Sequence, residues 1–341
     1  MYGVLKQGAV RPQLKQLKAR VAQKPLKEVM ALSARIGSSN LPGIGRSPSG
    51  FPLQAAAFST ITCSFSTMRG SLSKTDAFAH SIAESHRAFC PDVGPVMTLF
   101  KQAGEHHVVN DHVAFRTFSD EAVGLDAIAA YLKRFGYQLA GPQEGYQFPS
   151  LHLKAQHFES PGQQMKIFVS ELLLDELPRQ HQAIVRSALA SVPEGVLQDE
   201  NFLTSGRLWS PVTVEQYQML RAESEYAAWT IAHGYKPNHV TISVHDLEHF
   251  EDISKVNAFL SNKGYELNTD GGEIKGKREE GLLQSSIVAP NVTVEFADAE
   301  LSIPGGFIEL AERPLREDGT RFEAFKAQNA QRIFTSTNVR H

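Results

Sequence analysis

One stretch of this chain occurs twice, and that repetition limits the folds open to it. Asn110-Asp111-His112-Val113 opens a short alternating segment that runs to Phe118, and Asn238-His239-Val240 opens another that runs to Val244. A polar stretch follows each, then an amphipathic helical pattern: Leu125, Ile128, Tyr131 and Leu132 in the first copy, Val256, Phe259 and Leu260 in the second. Next come Gly136-Tyr137-Gln138-Leu139 and Gly264-Tyr265-Glu266-Leu267, 24 and 25 residues after their histidines. Each copy closes on an apolar strand pattern that carries a glutamate, Glu171 within Lys166 to Leu172 and Glu309 within Gly306 to Leu310, at 59 and 70 residues from the histidine. Period-two alternation gives strands, and a glycine after the helix takes a left-handed cap at little cost. The expectation is an α+β fold in which paired β-α-β modules form a central curved sheet and enclose a cleft between them.

The modules are expected at about 105–172 and 236–313. The segment from about 173 to 235 is too long and too apolar for a linker. It reads as a mostly helical insertion, with Trp209-Ser210-Pro211 as a break and Val214 to Ile231 as one helix. A C-terminal segment, 314–341, follows the second module. Before the first, Asp76 to about Leu99 reads as helical, with Phe78, Ile82, Phe89 and Val96 turned to the core.

The net charge of −3 averages two unlike parts. Residues 1–75 hold 11 Lys+Arg and one acid, Glu28, so they carry +10 and the remainder carries −13. A basic, acid-poor, Ser/Thr-bearing N-terminus is the composition of an organellar transit peptide. The expectation is a cleavable segment over 1–72, a plastid or mitochondrial destination, and a single soluble domain over 73–341. The acidic body argues against a surface that tracks nucleic-acid phosphates. No run reaches the roughly 18–20 apolar residues of a membrane span. Cys63 and Cys90, the only thiols, make neither a disulfide scaffold nor a zinc finger.

The repeat places His112 and His239 at equivalent strand positions, so both can reach one point in the shared cleft. With Glu309 they make two imidazoles and a carboxylate, a facial set that leaves three metal positions open. That pattern suits non-haem Fe(II) oxygen chemistry, with Zn, Mn and Ni as poorer matches. Glu171, Glu295 and Glu312 compete with Glu309, whose apolar flanks favour burial and hence a positive partner. His106, His107, His152 and His157 are rival imidazoles, expected mainly on loops or solvated faces. Arg116 shares the strand face of His112. Four strand residues span roughly 13 Å. A guanidinium leaning back toward the metal therefore suits the far carboxylate of a small diacid, its forked donors matching two oxygens. Pairing with Asp111 or Asp120 is the alternative.

These residues also resemble a known family. Asn110-Asp-His112-Val-Ala-Phe-Arg116-Thr-Phe118, Phe168-Val-Ser-Glu-Leu172, Tyr226-Ala-Ala-Trp229, Asn238-His239-Val-Thr241, Leu283-Gln-Ser-Ser286 and Phe307-Ile-Glu309-Leu-Ala-Glu-Arg313 resemble the 2-oxoadipate dioxygenase/decarboxylase family, over roughly residues 76–337. The likeness is strongest to compact plant and algal members, and the family in turn resembles the vicinal oxygen chelate superfamily in fold. The resemblance implies an Fe(II) enzyme of lysine catabolism that converts 2-oxoadipate and O2 into 2-hydroxyglutarate and CO2. It places the metal and the catalysis on His112, His239 and Glu309, and substrate binding on Arg116 and His112. A metal-dependent isomerase, lyase or ring-cleaving dioxygenase of the same superfamily, or a non-catalytic module that binds a small acid, are the competing readings.

Overall fold

The computed structural model describes residues 72–337. The expected transit segment therefore lies, but for Leu72, outside the described residues, as do the last four positions. The chain begins with helix α1 (Lys74–Phe89), whose first turn is capped by Ser73 accepting from the Asp76 amide, and continues in α2 (Val93–Gln102). The single helical run expected from Asp76 to Leu99 is thus two helices. Pro91 is the cause: it forces Cys90 out of the helical region (φ −97°, ψ 110°) and offers no amide to the turn.

Module one comprises β1 (Asn110–Phe118), α3 (Leu125–Lys133), β2 (Gln138–Leu139), β3 (Tyr146–Phe148), β4 (Leu153–Ser160) and β5 (Gln163–Leu172). The insertion holds α4 (Arg179–Leu189), α5 (Val214–Glu223) and α6 (Glu225–His233), joined by short 3-10 turns and irregular chain. The helix expected over Val214 to Ile231 breaks at Ser224. That residue is extended (φ −148°, ψ 109°), and its hydroxyl accepts from the Ala227 amide, so it opens α6 where α5 ends. Serine side chains compete with the backbone for such bonds, which makes them better caps than helix-interior residues. Module two comprises β6 (His239–Ser243), α7 (Ile253–Asn262), β7 (Leu283–Ser286), the hairpin β8 (Asn291–Glu295) and β9 (Glu300–Pro304), and β10 (Phe307–Glu312). Helix α8 (Ala327–Ile333) closes the described chain.

One sheet runs in the order β2-β4-β5-β1-β6-β10-β7, with β3 added to β4. Its two halves are related as copies. β1 pairs parallel with β5, and β6 pairs parallel with β10. The halves join where β1 and β6 run antiparallel, with Val113 opposite Val240, His112 opposite Thr241 and Ala114 opposite His239. A local two-fold axis therefore passes between Val113 and Val240. The repeated Gly-Tyr-polar-Leu signatures behave alike: Leu139 pairs with Phe158, and Leu267 bridges to Ile287. Gly136 and Gly264 supply the left-handed backbone (φ 86° and 92°) that ends each helix.

The register corrects one equivalence read from the sequence. Glu309 stands beside Thr241 in β6, two residues after His239, and the matching partner of Ala114 in β1 is Phe168. Phe168, not Glu171, is the counterpart of Glu309. Every β1 residue after Asn110 is buried, because helices and turns cover both faces of the strand. Val113 and Phe115 enter the hydrophobic core, while the alternate residues His112, Ala114 and Arg116 face the interior of the cleft. No helix among the described residues is long and apolar enough to cross a membrane.

Candidate metal centre

His112 from β1, His239 from the start of β6 and Glu309 from β10 converge, with ligand atoms all within 4.8 Å of one another. The two-fold axis explains why. Each histidine sits one step from the axis on the same sheet face, and β10 lies against the β6 side. His239 Nε2 is 3.0 Å from Glu309 Oε2, and His112 Nε2 is 3.6 Å from Glu309 Oε1. The rings stand nearly perpendicular, at 84°. All three side chains are buried, Glu309 completely.

The other ring nitrogens are engaged, so both Nε2 atoms point into the site. His112 Nδ1 lies 2.7 Å from Asp111 Oδ1, and His239 Nδ1 lies 3.1 Å from Asn238 Oδ1. Asp111 is in turn gripped by Arg313, Nε to Oδ2 at 2.6 Å and Nη2 to Oδ1 at 2.9 Å. Burial alone would raise the Asp111 pKa, but the charge and hydrogen bonds of Arg313, helped by His112, hold it well below the usual carboxylate range. Gln284 Nε2 donates to Glu309 Oε1 at 2.6 Å.

The residues fit a divalent cation. Burial works to raise the Glu309 pKa, yet its contacts with the facing imidazoles and with Gln284 outweigh it and bring it below the usual carboxylate value. Its Oε2 has no aligned hydrogen-bond donor despite the short approach of His239. A buried anionic oxygen without a donor calls for a positive partner. Burial lowers the pKa of His239 against the pull of Glu309, which leaves the neutral imidazole that ligation requires. Two nitrogens and one oxygen form a 2-His-1-carboxylate set able to chelate a divalent metal. Phe168 occupies the place where the repeat would supply a fourth ligand, so the first module adds no carboxylate to the set. The cavity over the centre is about 20 Å³, bounded by Phe168 and roofed by Phe325, Ala330, Ile333 and Phe334 of the C-terminal segment.

Arg116 is buried at 2% exposure and has no carboxylate partner among its hydrogen bonds. Asp111, the partner the sequence allowed, belongs to Arg313, and Asp120 accepts instead from the Ala122 amide. The Arg116 guanidinium lies 4.9 Å from the ring centres of Tyr226 and Trp229, and its Nη2 donates to Thr337 Oγ1 at 3.1 Å. Its Nε has no acceptor. Burial lowers its pKa to about 10, so it stays charged at neutral pH. A cavity of about 410 Å³ opens on its other side, and Phe334 borders both this cavity and the metal centre.

The competing residues are occupied elsewhere. Glu171 accepts from the Leu125 amide and pairs with Lys154, and Glu312 accepts from the Ile253 amide and pairs with Arg278. Glu295, His106 and His107 are exposed, and half-buried His152 faces Glu176. His157 departs from expectation: it is buried on β4 opposite Phe168 and lies 3.0 Å from the Tyr146 hydroxyl. Burial lowers its pKa to about 4, so it is neutral. Sequence reasoning passed over Asp111, Arg313, Phe168 and Phe325 as site residues. Asp111 left a signal as an acid immediately before the first metal histidine, and Phe168 and Arg313 stand within the motifs of the family resemblance, whereas Phe325 left none.

The sequence profile of the 2-oxoadipate dioxygenase/decarboxylase family matches residues 78–316. The chain is 32% identical over 345 residues to the chloroplastic 2-oxoadipate dioxygenase/decarboxylase of Arabidopsis thaliana, covering 92% of each. The crystal structure of hydroxyglutarate synthase in complex with 2-oxoadipate from Oryza sativa is similar with a TM-score of 0.71 at 34% identity, over 76% of this chain and 91% of that one. A glyoxalase-superfamily protein of Ralstonia eutropha shares the fold, with a TM-score of 0.62 at 18% identity over 74% and 86% of the two chains.

Proposed function

The chain belongs to the 2-oxoadipate dioxygenase/decarboxylase family, and from that premise we propose that it is a non-haem Fe(II) enzyme converting 2-oxoadipate and O2 into 2-hydroxyglutarate and CO2. The observation that carries the reading is the buried His112–His239–Glu309 set with open positions, on the same strand face as a charged arginine that lacks a carboxylate. Held by these three residues, iron(II) supplies open coordination positions and the redox chemistry that O2 requires.

The protein's own groups do the rest. Arg116 binds the distal carboxylate, offering the free Nε and the Nη2 that Thr337 and the Phe334 carbonyl now occupy. Its distance along β1 from His112 sets the length of diacid that fits. Tyr226, Trp229 and Phe334 exclude water from that ion pair and so strengthen it. Asp111 and Asn238 fix the ring orientations, and Phe168 puts a phenyl ring where the repeat would put a second carboxylate, leaving that side to substrate and O2. The N-terminal composition and the chloroplastic relative support a plastid transit segment over 1–72, followed by a single domain over 73–341.

O2 uptake by the anaerobically Fe(II)-loaded protein on adding 2-oxoadipate tests the proposal. Uptake should match CO2 release and vanish in His239→Ala. Arg116→Ala should raise KM about 10- to 100-fold with iron content unchanged, as expected for a charge-assisted pair contributing about 1.5–3 kcal/mol. Bound iron without O2 uptake on any 2-oxo diacid would turn the reading toward an isomerase, a lyase or a binding module.

A further inference from the structure

The two metal-facing imidazoles come from a repeat, yet what stands behind them differs. His239 is backed by the Asn238 amide oxygen, which carries no charge. His112 is backed by Asp111, a carboxylate buried against Arg313. The same guanidinium continues outward: Arg313 Nη1 donates to the carbonyls of Phe322 at 2.5 Å and Ala324 at 2.9 Å. Those carbonyls lead directly into Phe325, whose ring lies 4.8 Å from the His112 ring at 86° and 5.3 Å from the Arg313 guanidinium. The Phe325 amide donates to the Tyr146 hydroxyl, which pins the other side of the turn. A single buried arginine thus touches both the carboxylate behind a metal ligand and the backbone that carries the roof over it.

A carboxylate behind an imidazole fixes the Nδ1–H tautomer, aims Nε2 at the metal and raises its basicity. An amide oxygen can fix the tautomer but adds no charge. We propose that Asp111 and Arg313 are positioning residues that make His112 the stronger imidazole donor and couple its capture of metal to the seating of residues 322–325 over the centre. The inference rests on the metal-centre reading above. Neither residue touches substrate in it. Arg313 keeps the carboxylate from standing as an unpaired buried charge, and its carbonyl contacts tie the closing turn to that same ion pair.

Anaerobic titration with Co(II), followed by its visible absorption, and competition with Fe(II) test this directly. Asp111→Asn preserves shape and an acceptor oxygen; it should weaken metal affinity about 10- to 100-fold and shift the Co(II) bands. Since loss of one partner can impair folding, the double variant Asp111→Asn with Arg313→Gln removes both charges. It should regain thermal stability relative to Asp111→Asn while its metal affinity stays low. Affinity that recovers together with stability, or a wild-type affinity in Asp111→Asn, would overturn the positioning role. The coupling has its own readout, tryptic cleavage at Arg316 and Arg321. Metal should slow that cleavage in the wild type and fail to slow it in the double variant at saturating metal. Equal protection in both would overturn the coupling. A wild type that binds neither Co(II) nor Fe(II) would instead remove the metal centre itself.

Discussion

At the scale of single residues, the most consequential difference between the modules is Phe168 against Glu309. The three metal-facing residues were legible because duplication marks both histidines and apolar neighbours mark Glu309. Phe168 was not legible, because matching closing strands by their nearest glutamate selects Glu171, and only the pairing register shows which residue faces the centre. This substitution has a chemical consequence. A carboxylate in place of the phenyl ring would fill a coordination position that substrate or O2 needs. Phe168→Glu should therefore retain iron and lose turnover by about 100-fold or more, since filling an open position removes the feature that separates a catalytic site from a structural one. The variant should also melt lower than the wild type without metal, having an extra buried carboxylate, and regain stability when metal is added. Undiminished turnover with bound iron would show that Phe168 does not guard a coordination position.

At the scale of elements, periodicity located the helices and misjudged where they stop. The apolar pattern runs in phase through Ser224 and across Pro91, so a reading based on spacing joins what capping chemistry separates. The cues were local. Pro91 bars the helix between α1 and α2, while Thr213 and Gln216 form a reciprocal capping box at the start of α5. Thr213 Oγ1 accepts from the Gln216 amide, and the Gln216 side chain accepts from the Thr213 amide. Thr213→Ala should cost about 1 kcal/mol, the usual loss for an N-cap threonine. Urea unfolding should show a lower midpoint with an unchanged slope, and turnover should stay at the wild-type level because α5 holds no metal-facing side chain. An unchanged midpoint would mean that packing of Tyr217 and Leu220 alone holds the helix start in place.

At the scale of the whole molecule, the pairing of two modules in one sheet followed from the repeat, whereas the order of strands within it and the burial of unrelated histidines could not be read from it. His86 on α1 and His233 on α6 are buried outside the ligand set, and burial is the largest cause holding each near a pKa of about 3, with the neighbouring His239 adding to it for His86. His157 lies near 4 for the same first reason. As neutral rings they sit between helices and sheet: His233 Nε2 lies 2.9 Å from the Pro304 carbonyl at the end of β9, and His86 is buried on the inner face of α1. Unfolding frees all three to titrate near 6.5. Their folded values are depressed, so the stability they carry is fully present above about pH 6.5 and is lost as pH falls toward the folded values. Between those limits these three rings take up to three more protons in the unfolded chain, contributing a slope of roughly 4 kcal/mol per pH unit at most and about 6 kcal/mol by pH 5. That is comparable with the total stability of a typical domain. Urea midpoints should therefore be nearly constant from pH 8 to 7 and fall steeply between 6.5 and 5. His233→Gln, which keeps a hydrogen-bonding group for Pro304 without a titrating ring, should remove about 2 kcal/mol of that fall at pH 5. A pH profile in His233→Gln as steep as in the wild type would place the acid sensitivity in other imidazoles whose pKa burial lowers, His239 and His245 first among them.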